Sequence, residues 1–199
     1  MTRPRLTSQT VPRVLAAALV ACFAAPGLAM DAKPAMSAFL ESEVLPWTGS
    51  EVLIAAIEAH NAETAQLTGS EIAALDAAWQ SELGAAERPT IAPVIDNAAA
   101  TFLRERVSAA GGAITEIFVM DARGLNVAAS ALTSDYWQGD EAKFTETFGK
   151  GPEAVHFGEV EFDESSQTYQ GQISVTLVDP ESGEAIGAMT VGVNAEYLM

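Results

Sequence analysis

EIFVMDARGLNVAAS, Glu116 to Ser130, reads as strand, turn, strand. Ile117 and Val119 point to one face of an extended segment, and Phe118 and Met120 to the other. Asp121-Ala122-Arg123-Gly124 has the Asp-first, Gly-last character of a tight turn. A second apolar run, LNVAAS, follows at once, so the stretch predicts an antiparallel hairpin.

Downstream, Ala131–Val155 connects this hairpin to further strands and contains TSDYWQGDEAKFTETF, with a short helix predicted over Asp140–Phe148 and Asp140 as its N-cap. Then come HFGEVEFD, the turn ESSQ, TYQGQISVTLVD, the turn PESGE and AIGAMTVGVNAEYL, three strands linked by hairpin loops. Upstream the chain is helical. Ser37–Leu45 predicts a short helix ended by Pro46, and Ser50 is a plausible N-cap for the next. Ser70 opens SEIAALDAAWQSELG, closed by Gly84. Thr90 caps a longer helix to about Ala110, roughly 30 Å at ~1.5 Å per residue. The expected fold class is α+β, with a five-stranded antiparallel sheet and helices packed on one face.

The first 29 residues stand apart. Arg3, Arg5 and Arg13 precede the apolar run Val14–Ala25, and Gly27-Leu28-Ala29 supplies small residues for cleavage. Such a run rises roughly 18 Å as a helix, short of a ~30 Å hydrocarbon core. A cleaved export signal over 1–29 is therefore expected, with a periplasmic or secreted product. Leu19-Val20-Ala21-Cys22 resembles a lipobox, so lipidation of Cys22 is the alternative. Cys22 is the single cysteine, and the mature domain would hold no disulfide.

The whole chain carries a formal charge of −17. Removing three basic residues with the signal leaves 7 basic against 27 acidic, or −20. That field repels nucleic acid and anionic membranes and favours cationic ligands or divalent metals. It also serves solubility alone. No G-x-S-x-G elbow, phosphate loop or dinucleotide fingerprint is present, and two histidines without a mature cysteine exclude Cys–His nucleophile pairs. An enzyme is not expected, nor a cofactor or metal. DESSQ (Asp163 to Gln167) and DPESGE (Asp179 to Glu184) place oxygen ligands in turns, but not at EF-hand spacing, and read first as hairpin turns.

The order of elements, EIFVMDARGLNVAAS as a first hairpin and GEAIGAMTVGVN (Gly183 to Asn194) as a last strand resemble the Cache (PDC) family of PAS-like extracytoplasmic sensor domains. SDYWQGDEAKF, VEFDESSQ and AIGAMTVGVN are similar to stretches of short exported members. The resemblance covers residues 113–199 and implies a sensor domain there; with the export signal read over 1–29, the intervening 30–112 is expected to be an N-terminal helical region packing on that domain. It implies ligand binding on the sheet beneath the Ala131–Val155 connection, by small metabolites such as amino acids, organic acids and amines. Two departures matter. Beyond Gly124 there is no arginine, only Lys143 and Lys150, so no guanidinium fork meets a ligand carboxylate here. The chain also reaches Met199 directly after the last strand, without an effector of its own, so signalling through a partner is expected.

Tyr136 and Trp137, flanked by Asp135 and Asp140, would make an aromatic and acidic wall for a small polar, cationic metabolite. Ser130 would face the pocket or a backbone group. Against this stands a plug, with both rings packed onto the core and the acids capping turns. The expected function is a ligand-binding sensor module that works through a membrane receptor or sensor kinase. A homodimer through the N-terminal helices is expected too. The alternative is a ligand-free interaction scaffold with the same fold, which requires packed aromatics and no cavity.

Overall fold

The computed structural model describes residues 32–163 and 167–199. The expected export signal and Cys22 lie outside them. Among these residues six strands form one antiparallel sheet: β1 (Ile114–Asp121), β2 (Asn126–Ala129), β3 (Val155–Phe157), β4 (Glu161–Asp163), β5 (Thr168–Val178) and β6 (Ala185–Asn194). The order is β2-β1-β6-β5-β3, with β4 also paired to β5. This is the α+β arrangement with an antiparallel sheet that the sequence predicts, with one strand more. The expected third strand, HFGEVEFD, is two. Phe157 pairs with Ile173 and Glu161 with Gln170, so four steps on the edge oppose three on β5. The extra residue makes a bulge at residues 158–160.

The first hairpin closes as its residues dictate. Gly124 takes φ +79, which a side chain would strain, and its N–H donates to the Asp121 carbonyl at 3.0 Å. The Asp121 carboxylate accepts the N–H groups of Arg123 and Leu125 at 2.8 and 2.9 Å. At the last hairpin the Asp179 carboxylate accepts from the N–H groups of Glu181 and Ser182 and from the Ser182 hydroxyl. That stretch is a hydrogen-bonded turn.

Strand alternation sorts the core into two. Ile117, Val119, Ile173, Val175, Met189 and Val191 face the helices α1 (Lys33–Phe39), α3 (Glu51–Thr64) and α6 (Ala98–Ala109) through Met36, Leu53, Ile57 and Leu103. Phe118, Met120 and Ala188 face the other way, against Ile72 and Trp79 of α4 (Gly69–Glu82), Val94 of α5 (Ala92–Ile95), and Tyr136 and Phe144 from the β2–β3 connection. Helices therefore cover both faces, not one.

The helical front departs from its reading in three places. The first helix does not stop at Pro46. Leu40–Val44 widens into a π-turn in which the Leu45 N–H reaches the Leu40 carbonyl, and α2 (Leu45–Thr48) continues beyond it. A wider turn accommodates a ring that lacks an N–H. The next start is at Thr68, not Ser70: Thr68 and Glu71 form a reciprocal capping box. The long helix from Thr90 to Ala110 is broken. Asn97 sits between α5 and α6 with extended backbone, accepts the Ala100 N–H at 2.7 Å, and donates to the Val127 carbonyl at 2.9 Å. An asparagine that caps and also reaches the sheet outcompetes one more helical turn. The remaining α6 is about 18 Å long.

Candidate functional site

The β2–β3 connection is stitched to α4 along its first half. Asp76 Oδ1 accepts the N–H groups of both Tyr136 and Trp137, at 2.9 and 3.0 Å. Trp79 donates from Nε1 to the Thr133 carbonyl at 3.0 Å, and its ring stacks on Tyr136 with centroids 5.5 Å apart. The Trp137 indole donates to the Arg123 carbonyl at 2.8 Å and lies so close to Gly139 that a Cβ there would overlap it. Leu125 and Trp137 form an isolated antiparallel bridge, which makes this half of the lid a strand-like strip beside β2.

Each of the residues expected to hold a ligand has a place in this lid or beside it. Tyr136 is buried and Trp137 half-buried. Asp135 accepts from Gln80 and from the Ser134 hydroxyl. Ser130 Oγ accepts the Ile117 N–H at 2.9 Å. Asp140 is exposed, and it does not cap the following helix α7 (Ala142–Thr145), whose cap position is Glu141. Asp135, Tyr136 and Trp137 are held in place by contacts with α4 and the first hairpin, Ser130 by the β1 backbone, and Asp140 is at the surface.

The chamber under the lid is walled by their neighbours. A cavity of about 160 Å³ lies between Glu116 and Phe118 of β1, Gln172 of β5, and Thr133, Gln138 and Lys143 of the lid. It adjoins an outer basin of about 630 Å³ whose walls include Lys33, Glu141, His156, Glu161 and Gln170. Lys143, Asp163 and Gln172 line both and form the neck. Sheet register explains the polarity. Met120 and Ala188 pair as an apolar row at one end of this face. One row on, Phe118 pairs with Thr190 and Thr190 with Ser174; the next row joins Glu116, Gly192 and Gln172. The lid-facing side thus passes from core to a polar floor along each strand.

Glu116 is the centre of that floor. Burial pushes its carboxyl above the usual range; the hydrogen bond from Gln170 Nε2 at 2.9 Å and the charge of Lys143 oppose this, while nearby Asp163 adds to it. Gln170 also pairs with the Thr115 hydroxyl across β6. Gly192 makes this crossing fit, since a Cβ there would overlap Thr115 Oγ1 and Gln170 Oε1. Lys143 reaches Glu141 Oε2 at 2.9 Å and Gln138 Oε1 at 3.3 Å, and lies 5.3 Å from the Phe118 ring centroid. An aromatic face, amide oxygens and several carboxylates are groups that receive an ammonium.

A second constellation joins α3, the first hairpin and the lid. The wholly buried Asp121 meets His60 Nδ1 at 2.8 Å and the Thr64 hydroxyl at 2.6 Å, and His60 Nε2 lies 3.2 Å from the Tyr136 hydroxyl. With the ring proton on Nδ1 facing the carboxylate, Nε2 accepts the tyrosine O–H. Burial alone would raise the Asp121 carboxyl, but the hydrogen bonds from His60, Thr64 and the Leu125 N–H outweigh it and hold it below the usual range. Burial beside Asp121 pushes the Tyr136 hydroxyl up to about 12, so it stays protonated. Among the described residues no group of three or more His, Cys, Asp or Glu is arranged to hold a metal ion. No helix among them is long and apolar enough to cross a membrane.

No family model matches the chain, and no curated protein matches it. Solved structures do. The sensor domain of the V. cholerae histidine kinase DctB aligns with TM-score 0.47 and 11% identity over 84% of this chain. The ligand-binding domain of the Campylobacter jejuni chemoreceptor Tlp3, in complex with 4-methylisoleucine, aligns with TM-score 0.41 and 13% identity over 77% of it. That of the Pseudomonas fluorescens chemoreceptor CtaA, in complex with L-alanine, gives 0.35 and 11% over 74%. The chain spans 53%, 64% and 59% of these domains, respectively.

Proposed function

We propose that this Cache-like, PAS-type domain is an extracytoplasmic sensor module that binds a small polar, cationic metabolite between its sheet and its lid. The observation that carries the reading is the polar floor of Glu116, Gln170 and Gln172 beneath a lid that leaves a chamber open. Burial at that floor disfavours the charge of Glu116, and a positive group brought into the chamber would offset that cost. The role is binding, not catalysis. A membrane receptor or sensor kinase in the same compartment reads the lid state, and the shift it sees is limited by the ligand's differential affinity for open and closed lids. The acidic wall for the ligand's positive group is Glu116 and Asp163. Tyr136, Trp137, Asp135, Asp140 and Ser130 act through lid and strand geometry.

The scaffold reading gains support from the packed Tyr136 and loses it from the chamber. Native mass spectrometry on the full chain, followed by thermal shifts across a panel of small amines, amino acids and organic acids, separates the two. A co-purifying small organic mass, or a melting rise with an amine, supports the sensor. A bare polypeptide mass with no shift across the panel returns the choice to the scaffold.

A further inference from the structure

We propose that Lys143 is a built-in competitor for the ligand: its own ammonium holds the cation subsite of the chamber until a ligand ammonium displaces it. This rests on the reading that the chamber takes a cationic metabolite, and names what such a ligand must overcome.

The Lys143 ammonium already holds an aromatic face, an amide oxygen and a carboxylate, groups of the kind a ligand ammonium would seek there. It faces the Phe118 ring at 5.3 Å, the Gln138 amide oxygen at 3.3 Å and the Glu141 carboxylate at 2.9 Å. A cation over a ring face beside an acid is the arrangement that recognises alkylammonium groups. Here the chain supplies the cation itself, from a lid helix whose Phe144 is anchored in the core.

Displacement does not strand the charge. Lys143 lines the basin as well as the chamber, and the basin offers Glu159 and Glu161. A lysine stem is long and freely rotating, so its head can leave the chamber while the helix stays in place. Ligand binding is then an exchange of one ammonium for another. Apparent affinity is the intrinsic affinity multiplied by the fraction of molecules in which Lys143 has vacated the subsite. The device sets a threshold: a ligand ammonium must gain more from the Glu116 and Asp163 wall, or from further contacts such as Gln172, than Lys143 gains from its own partners.

Tetramethylammonium chloride is the probe, titrated by calorimetry at constant ionic strength into the full chain, its Lys143→Gln variant and its Lys150→Gln variant. Lys150 is exposed and lines neither basin nor chamber, so its loss removes the same charge without freeing the subsite. Lys143→Gln is expected to bind the probe at least roughly tenfold more tightly, as for a subsite otherwise about nine-tenths occupied. Lys150→Gln should stay within about twofold, the scale of screened charge effects. In wild-type protein the Lys143 methylene resonances, shifted by the Phe118 ring, should move to ordinary positions on saturation. Equal or weaker binding by Lys143→Gln overturns the proposal and leaves the cationic-ligand reading standing. Equal gains in both variants also overturn it, since general repulsion then accounts for the effect. No binding to any of the three chains overturns the proposal together with the reading beneath it.

Discussion

His60 Nδ1 lies 2.8 Å from Asp121 Oδ2 and so ties the last turns of α3 to the first hairpin. The far side of the same ring meets Tyr136, so one imidazole bridges helix, hairpin and lid. His60→Ala should lower stability by about 1–3 kcal/mol, the range for lost buried hydrogen bonds. Denaturant unfolding checks this. A change below about 0.5 kcal/mol, within the range of ordinary surface substitutions, would show the bridge to be incidental.

Acid should destabilise the fold in part through Asp121. Its carboxyl is held below the ordinary value of 3.8. Its contribution to stability is therefore fully present above that value and is lost as pH falls through the folded-state value. Asp121→Asn should be less stable than wild type at neutral pH, and the gap should narrow as pH drops below about 4. Parallel curves for the two proteins between pH 5 and 2 would contradict the assignment.

Glu116 has the opposite sign. Its carboxyl is raised above 4.5, so its protonated form favours the fold below that value and the benefit is lost as pH rises through the folded value. A cation bound beside it favours the ionised form. Binding of an ammonium ligand should strengthen with rising pH above 4.5 and release a proton within that window. In Glu116→Gln the affinity should be weaker and flat over the same range. Calorimetry in buffers of different ionisation enthalpy measures the proton directly.

Trp137→Ala should destabilise the lid, because the indole fastens it to the Arg123 carbonyl and covers Gly139. A half-buried tryptophan should cost about 2–3 kcal/mol, below the full core range. Ligand affinity should fall as a consequence of lid opening, so hydrogen exchange over residues 133–139 should rise in parallel. Lost affinity with unchanged exchange would instead make Trp137 a direct contact.

Gly192→Ala should empty the site without unfolding the sheet. The new methyl would meet Thr115 and Gln170, and would come within 3.0 Å of Glu116 Cγ. Side-chain ends can yield at a cost of about 1–3 kcal/mol, but the polar floor would then lose its geometry. Retained binding in a folded variant would move the site elsewhere.

The hairpin at Glu116–Ser130 was legible because turn chemistry and strand period agree there. The break at Asn97 was not, since the apolar spacing of Ile91, Ile95, Ala99 and Leu103 runs straight through it. Only the Val127 carbonyl across the fold gives that asparagine its reason. The spacing Thr68-x-x-Glu71 carries the capping-box pattern in the sequence, two residues before the start read at Ser70. For the site, period two already puts Glu116 on the face of Phe118 and Met120. Its partners Gln170 and Gln172 come to it only through the pairing of β1 and β5 with β6, which local sequence does not carry. An aromatic pair among acids serves equally as wall or plug. Asp76, sixty residues upstream of Tyr136, decides that the pair is held down.

The bulge at residues 158–160 bears on how the chain behaves in a crowded compartment. Beyond β5 the sheet's outer margin is cut into two three-residue strands, with Glu159, Glu161 and Asp163 along it. A template that short, bent and negatively charged gives a stray strand from another molecule little to pair with. The irregularity that spoils the expected third strand therefore protects against aggregation. The acids that line the basin serve at the same margin as gatekeepers of solubility.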